Sequence, residues 1–409
     1  MKRLLAFTLG FLTAIGGFLD IGDLVAGALV GARFGMSLAW VIVVGVIGIV
    51  LFTEMSARVT AVSGRATFDL VRERLGARTG LANLMASYFI TLLTLAAQLG
   101  GVALALELAS SIHYLLWVPV VGVLVWVVIW RLPFEKMEQT YGLLGLALIV
   151  FAVALWRLGP DWGALLNGAA SPAPPPGEDW STWWYYGIAL FGASMTPYTV
   201  LFFSSGGVEE HWSSKDLGQA RFNVFFGFPV GGLLALAIMG CAAVLFFPAG
   251  VQVEHLSQVA LPVSVALGKI GLIVVIVGFF VATFGAALES GLAAGYSVAQ
   301  YLGWPWGKHL QPADATRFHT VVLLTLLAGL ALILTTLDPI KVTEYSIVLS
   351  AAALPLTYLP IFIVANDRDY LGDRVNSRFT NIIGTCYLVL LVVVSIVTIP
   401  LMIYTKAGQ

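Results

Sequence analysis

An all-α, polytopic membrane protein of about eleven transmembrane helices is the architecture expected of this 409-residue chain. The first ground is composition. Hydrophobic residues make up 59% and charged residues 11%, against about 25% charged in soluble domains, and mean hydropathy is +0.93. The second is length: apolar runs able to cross a bilayer as helix recur from one end to the other. The third is an interruption. The first apolar run carries Asp20-Ile21-Gly22-Asp23 in its middle, and each carboxylate placed in hydrocarbon costs at least about 2.5 kcal/mol. A soluble enzyme cannot absorb so much apolar surface, and catalysis is not expected.

The elements follow in order. Residues 4–31 form the first span. Met1-Lys2-Arg3 before an apolar run imitates a signal peptide, but no small-x-small site precedes Asp20, so the segment is expected to be retained. Residues 36–57 form the second span. The loop Ser56–Ala82 mixes Asp69, Arg72, Glu73 and Arg74 with Phe68, Leu70, Val71 and Leu75, the pattern of a short amphipathic helix on the membrane surface. Spans three to five are 83–110, 114–131 and 140–157. The loop Leu158–Thr182 contains Ser171-Pro172-Ala173-Pro174-Pro175-Pro176-Gly177, a stiff extended segment joining two halves. Spans six to ten are 183–205, 222–247, 262–301, 318–337 and 342–365, and an additional helix covers 379–404. The whole of 1–409 is one integral domain, with repeat one at about 4–157 and repeat two at about 183–365.

Five spans before the proline-rich loop is an odd number, so the second five enter the membrane from the opposite side. That makes an inverted repeat. The first helix of each half is then expected to be discontinuous. Helix one has Gly16-Gly17 and the acidic stretch; helix six has Gly192-Ala193-Ser194-Met195-Thr196-Pro197-Tyr198, where proline removes a backbone donor and disfavours helix at Thr196. Both interruptions fall at mid-membrane, which points to a transport site between them.

Orientation follows from Lys and Arg. With the N-terminus cytoplasmic, only Arg33, Arg157, Lys269, Lys341 and Lys406 of the 21 basic residues lie outside, and the C-terminus is outside as well. The expected location is the cell membrane. The two cysteines, Cys241 and Cys386, sit in apolar spans, and the five histidines sit in loops or at span edges without zinc-site spacing. No phosphate-binding loop is present, so neither nucleotide nor nucleic acid is an expected partner. No cofactor is expected; the partners are the bilayer and a cation.

Asp20 and Asp23 are the leading cation ligands, with helix-breaking or capping as the bland alternative for each. The carbonyls freed at Gly17 and Ala193 and the Thr196 hydroxyl add oxygen donors. Gly22, Ser194, Pro197 and Tyr198 are expected along the path. Glu289, within a stretch of small residues, is placed on the inner half of the path or in a local pair. Glu344 attracts cations to an outer vestibule or sits at the interface beside Lys341.

These residues resemble the Nramp family of divalent-metal transporters, which have the leucine-transporter fold. Asp20-Ile21-Gly22-Asp23 is similar to its first-helix Asp-Pro-Gly-Asn motif, and Thr196-Pro197-Tyr198 to its Met-Pro-His. Asp338-Pro339, Leu354-Pro355, Pro360, Arg368-Asp369, Leu371-Gly372 and Val375-Asn376 extend the likeness to the start of the last helix. The departures carry information. Ile21 replaces proline, Asp23 asparagine, Thr196 the metal-binding methionine and Tyr198 the histidine. Leu95 and Gln98 stand where the family has acids associated with proton passage, and Ile347 stands for a glutamine. The pattern resembles the Nramp-related magnesium transporters. The resemblance implies alternating access without obligatory proton coupling, with Mg2+ as substrate and Mn2+ as competitor. An all-oxygen donor set agrees: Mg2+ takes oxygen ligands and keeps much of its water, whereas thioethers favour softer metals. Two rivals remain at this point. One is an amine or amino-acid carrier on the same fold; the other is a non-transporting receptor or scaffold.

Overall fold

Helix follows helix because backbone groups in hydrocarbon must pair within their own segment. The computed structural model describes residues 19–408 apart from 135, 138–139, 141–144 and 336. Helix α1 (Ile21–Phe34) is the second half of the first expected span; Gly16 and Gly17 lie outside the described residues. Then come α2 (Ala39–Ser63), α3 (Thr67–Ser110) and α4 (Tyr114–Arg131). A 3-10 turn at Leu146–Ile149 enters α5 (Val150–Leu158), and the chain bends by 116° into α6 (Trp162–Ala170). The sixth span is split into α7 (Trp180–Ser194) and α8 (Pro197–Glu209). Helix α9 (Leu217–Phe222) runs through a π-helical turn at Asn223–Gly227 into α10 (Phe228–Leu245). Helices α11 (Leu256–Leu302), α12 (Thr316–Leu334), α13 (Pro339–Ala365), α14 (Arg368–Leu371) and α15 (Arg378–Tyr404) complete the chain.

Among the described residues, nine helices or joined helices are long and apolar enough to cross a membrane. They match the second to fourth and the sixth to eleventh expected spans; the first and fifth are described only in part. Two differences have clear causes. The Ser171–Gly177 segment expected to be extended is non-helical, and ahead of it the loop forms α6, unassigned in the sequence, whose N-cap Asp161 accepts the Ala164 N–H at 3.1 Å. The third span was expected to start at 83, but helix begins at 67 and is interrupted only at Gly76, with φ 81° and ψ 165°. The short helix 67–75 is the expected amphipathic one, and its Phe68 packs with Leu84 and Leu201. Helix α11 repeats the device at Gly268, with φ 65° and ψ −152°. Only glycine enters such backbone without strain. Gly76 precedes the expected third span, whereas Gly268 falls inside the expected eighth, 262–301, and breaks it.

Two apolar cores result. One gathers side chains of α1, α2, α7, α10 and α13; the other joins α3, α4, α11 and α12. Helix α1 lies on the seam: Leu24 and Ala28 belong to the first core, Ile21 and Val25 to the second.

Both ends are tied by polar groups. At the arginine-rich end, Glu209 of α8 accepts the Tyr296 hydroxyl at 2.8 Å and the backbone N–H groups of Lys308 and His309 at 2.5 and 3.0 Å. The Lys308 ammonium donates to the Ile129 carbonyl, and burial in this loop pushes it down to about 8, partly offset by Glu209. At the opposite end, Arg33 pairs with Glu178 at 2.8 Å and donates to the Gly408 carbonyl. Near it Trp40 of α2 meets Trp183 and Trp184 of α7 with ring centroids 6.4 and 6.2 Å apart, and the Trp183 indole donates to Ser37.

Candidate cation site

The start of α1 and the break between α7 and α8 face each other at the seam between the cores. Asp20 is the N-cap of α1, with extended backbone, and its Oδ1 accepts the N–H groups of Gly22 at 2.6 Å and Asp23 at 3.2 Å. The Ile21 N–H, an orphan at any helix start, donates to Gln98 Oε1 of α3 at 3.2 Å. Side chains thus satisfy the broken backbone, and Asp20 keeps Oδ2 for the site, where it accepts the Tyr198 hydroxyl at 3.0 Å. Asp20 thus caps α1 through Oδ1, and its Oδ2 meets Tyr198 of α8.

Asp23 lies inside the first turn of α1, so it is not a cap for the rest of that helix. It is buried, and its Oδ2 has no hydrogen-bond partner among the described residues. No Lys, Arg or His side chain acts on either carboxylate among the described residues. An uncompensated buried charge costs several kcal/mol. The geometry lacks positive charge and offers oxygen to receive it.

The second break follows from Pro197. Helix α7 ends at Ser194, and Thr196 takes extended backbone at φ −65° and ψ 125°. Residue 197 has no N–H, so the Ala193 carbonyl lacks its usual helical donor. The Met195 carbonyl is occupied by the Tyr358 hydroxyl of α13 at 3.1 Å. Thr196 and Thr199 share a hydroxyl hydrogen bond of 2.9 Å. The breaks close on Ile347 of α13. A Cβ on Gly22 would sit 2.9 Å from Ile347 Cγ2 and 3.7 Å from Ala193 Cβ, and one on Gly192 would collide with the Ile347 carbonyl oxygen. Glycine at these two positions lets the helices meet.

The structure therefore brings together Asp20, Gly22, Asp23, Gln98, Ala193 and Tyr198, with Thr196 and Pro197 between the last two along the chain. It does not bring Ser194, whose hydroxyl donates to the Leu190 carbonyl at 3.0 Å and whose Cβ lies against Gly45 of α2. Gly17 lies outside the described residues. Glu289 of α11 makes no hydrogen bond or ion pair among the described residues, and its charge acts on Tyr198 and Asp20. Glu344 is remote from the pair, beside Asp338, Lys341, Tyr185 and Tyr186. The Met195 thioether, next in sequence to the break, turns away and packs on Gly48 of α2 near Tyr387.

Sequence reasoning missed two contributors. Thr199 was signalled by its three-residue spacing from Thr196, one helical turn. Tyr358, which silences the Met195 carbonyl, carried no local signal.

The model of the family described as Nramp, natural resistance-associated macrophage protein-like, matches residues 10–400. A relative named divalent metal cation transporter MntH, from Pectobacterium carotovorum, is 24% identical over 397 residues, covering 93% of this chain and 90% of its own. Its namesake from Klebsiella pneumoniae ATCC 700721 is 24% identical over 389 residues, covering 91% and 88%. Among solved structures, a mutant of the Eremococcus coleocola manganese transporter superposes with TM-score 0.76 at 18% identity, over 100% of this chain and 89% of that one. Mhp1, a nucleobase-cation-symport-1 family transporter in a closed conformation, superposes with TM-score 0.62 at 16% identity, over 98% and 92%. These likenesses show the fold.

Proposed function

The chain belongs to the Nramp family, and from that premise we propose that it carries divalent metal cations across the membrane, Mg2+ foremost, with Mn2+ as a competing substrate. The observation that carries the reading is the unpartnered Asp23 Oδ2 beside Asp20, in a break with no sulfur donor. Asp20 Oδ2, Asp23 Oδ2, the Ala193 carbonyl and the Thr196 and Thr199 hydroxyls form an all-oxygen set. Two carboxylates in an oxygen-only set suit Mg2+, which is commonly held through one or two carboxylates. The turned-away Met195 removes the soft ligand that would favour a transition metal.

Transport proceeds by alternating access: one core rocks against the other across the seam that α1 occupies. Import is driven by the membrane potential, at about 2.3 kcal/mol per charge per 100 mV, and a divalent ion doubles that bias. Proton coupling is not obligatory, because Gln98 is a neutral amide already engaged with the Ile21 N–H. Glu289 is the other acid facing the pair, and a pH readout tests it. The N-terminus is cytoplasmic and the C-terminus outside.

The test is flux into proteoliposomes holding a Mg2+ dye, with a pH dye in parallel and an inside-negative potential. Wild type should admit Mg2+ without acidification, and Asp20→Ala should abolish entry. Folded protein that admits neither Mg2+ nor Mn2+ would sink the reading and redirect attention to organic cations.

A further inference from the structure

Away from the cation site, at the arginine-rich end, a groove of about 900 Å³ opens on the outer flank of the helix bundle. Its floor and walls are apolar: Val50 and Leu51 from α2, Phe225 from the π-helical turn, Ile383 from α15. Its rim is charged, with Arg58, Arg221 and Arg374 against Glu54 and Asp373. We propose that this groove binds one anionic glycerophospholipid of the adjoining leaflet, its phosphate on Arg374 and Arg221 and an acyl chain along α2 and α15.

The charges decide the headgroup. Glu54 is consumed between two arginines, at 3.1 Å from Arg58 Nη2 and 2.9 Å from Arg221 Nε. Arg58 is spent further, donating to the Arg374 carbonyl at 2.6 Å and to Asn376 Oδ1 at 2.5 Å. Arg221 is the half-exposed member, at 47% of its side chain. The Arg374 side chain makes no hydrogen bond or ion pair among the described residues. Three arginines against two acids leave the rim positive, and guanidinium groups match phosphate oxygens in pairs.

The walls decide the class of ligand. Ile47, Phe225 and Phe379 are exposed by 49, 52 and 72%, so the groove is open sideways at the depth of acyl chains. Glu54 and Arg58 lie toward the end of α2, and Arg374 just before α15, so the charged rim stands at headgroup level. The groove is amphipathic in the same sense as a phospholipid, and a water-soluble phosphate would leave its apolar wall bare. Exposed arginine near the surface attracts anionic lipid. The occupant would bridge α2, the entry to α10 and α15, and so brace α15 on the bundle. This inference stands apart from the cation reading.

The experiment is native mass spectrometry of the full chain in mild detergent, relipidated with palmitoyl-oleoyl phosphatidylglycerol or phosphatidylcholine. Wild type should retain phosphatidylglycerol about fivefold over phosphatidylcholine, as one added arginine contact warrants. Arg374→Gln should lower retention of both lipids, which share the phosphodiester, but that of phosphatidylglycerol more, so that the preference shrinks toward unity. Ile47→Trp, which fills the groove, should lower retention of both lipids, and its folding is checked by thermal melting. Equal retention of the two lipids by wild type would overturn the proposal, as would unchanged phosphatidylglycerol retention in either variant. Displacement by glycerol phosphate as effective as by the intact lipid would reveal a free-anion site and overturn it too.

Discussion

Asp23, the proposed cation ligand, stands in conflict with stability. Its unpartnered Oδ2 sits buried with no protein cation beside it. Asp23→Asn removes that burden, so the metal-free variant should melt a few degrees higher in a thermal-shift assay while losing about tenfold or more in Mg2+ flux. A lower melting point would mean that Asp23 is structural. Thr196 gives the selectivity test. Thr196→Met supplies the absent thioether, and the ratio of Mn2+ to Mg2+ uptake should rise about tenfold in competition flux. Much of this site was legible before any coordinates, because carboxylates and a proline inside apolar helices are conspicuous. The direction of a side chain was not. Ser194 and Met195 immediately precede Thr196 in sequence, yet both turn toward α2, since packing against Gly45 and Gly48 decides rotamers.

The elements show which sequence signals survive folding. Pro197 was readable as a break because its chemistry is local, and the chain does break there. Pro197→Ala restores the N–H that the Ala193 carbonyl lacks, so α7 and α8 should join into one straighter helix. Flux should fall while thermal stability holds or rises; full activity in proteoliposomes would show that the break is not needed. Gly192→Ala tests the close approach to Ile347. It should cost about 1–3 kcal/mol from overpacking and reduce flux together with melting temperature. The turns at Gly76 and Gly268 were not readable, since nothing in a glycine's neighbours announces positive φ. Helix α6 was not legible because its nine residues, short for a stable helix in isolation, carry no span-length apolar signal.

Across the whole molecule, the loop carrying Lys308 fastens α8, α4 and α11 together. Its ammonium sits at about 8 when folded against an ordinary 10.5. Between those values the unfolded chain holds a proton that the folded chain has released, so stability should rise as pH climbs from 8 toward 10.5 and be lowest below 8. Lys308→Met should flatten that rise in melting temperature relative to wild type; parallel curves would show that the buried ammonium is not responsible. The division into two five-helix halves plus one helix could be counted from the sequence. The seam between two cores could not, because it depends on contacts between distant spans. At the end of the bundle opposite Lys308, the indoles of Trp40, Trp183 and Trp184 couple α2 to α7. Across the two helices, Trp40 and Trp184 stand nearly perpendicular, with centroids 6.2 Å apart. Chromophores this close share their excited states, and the sign and size of the resulting circular dichroism depend on the angle between them. Any swing of α7 relative to α2 is therefore written into the near-ultraviolet spectrum, so this carrier holds its own label-free optical gauge of motion.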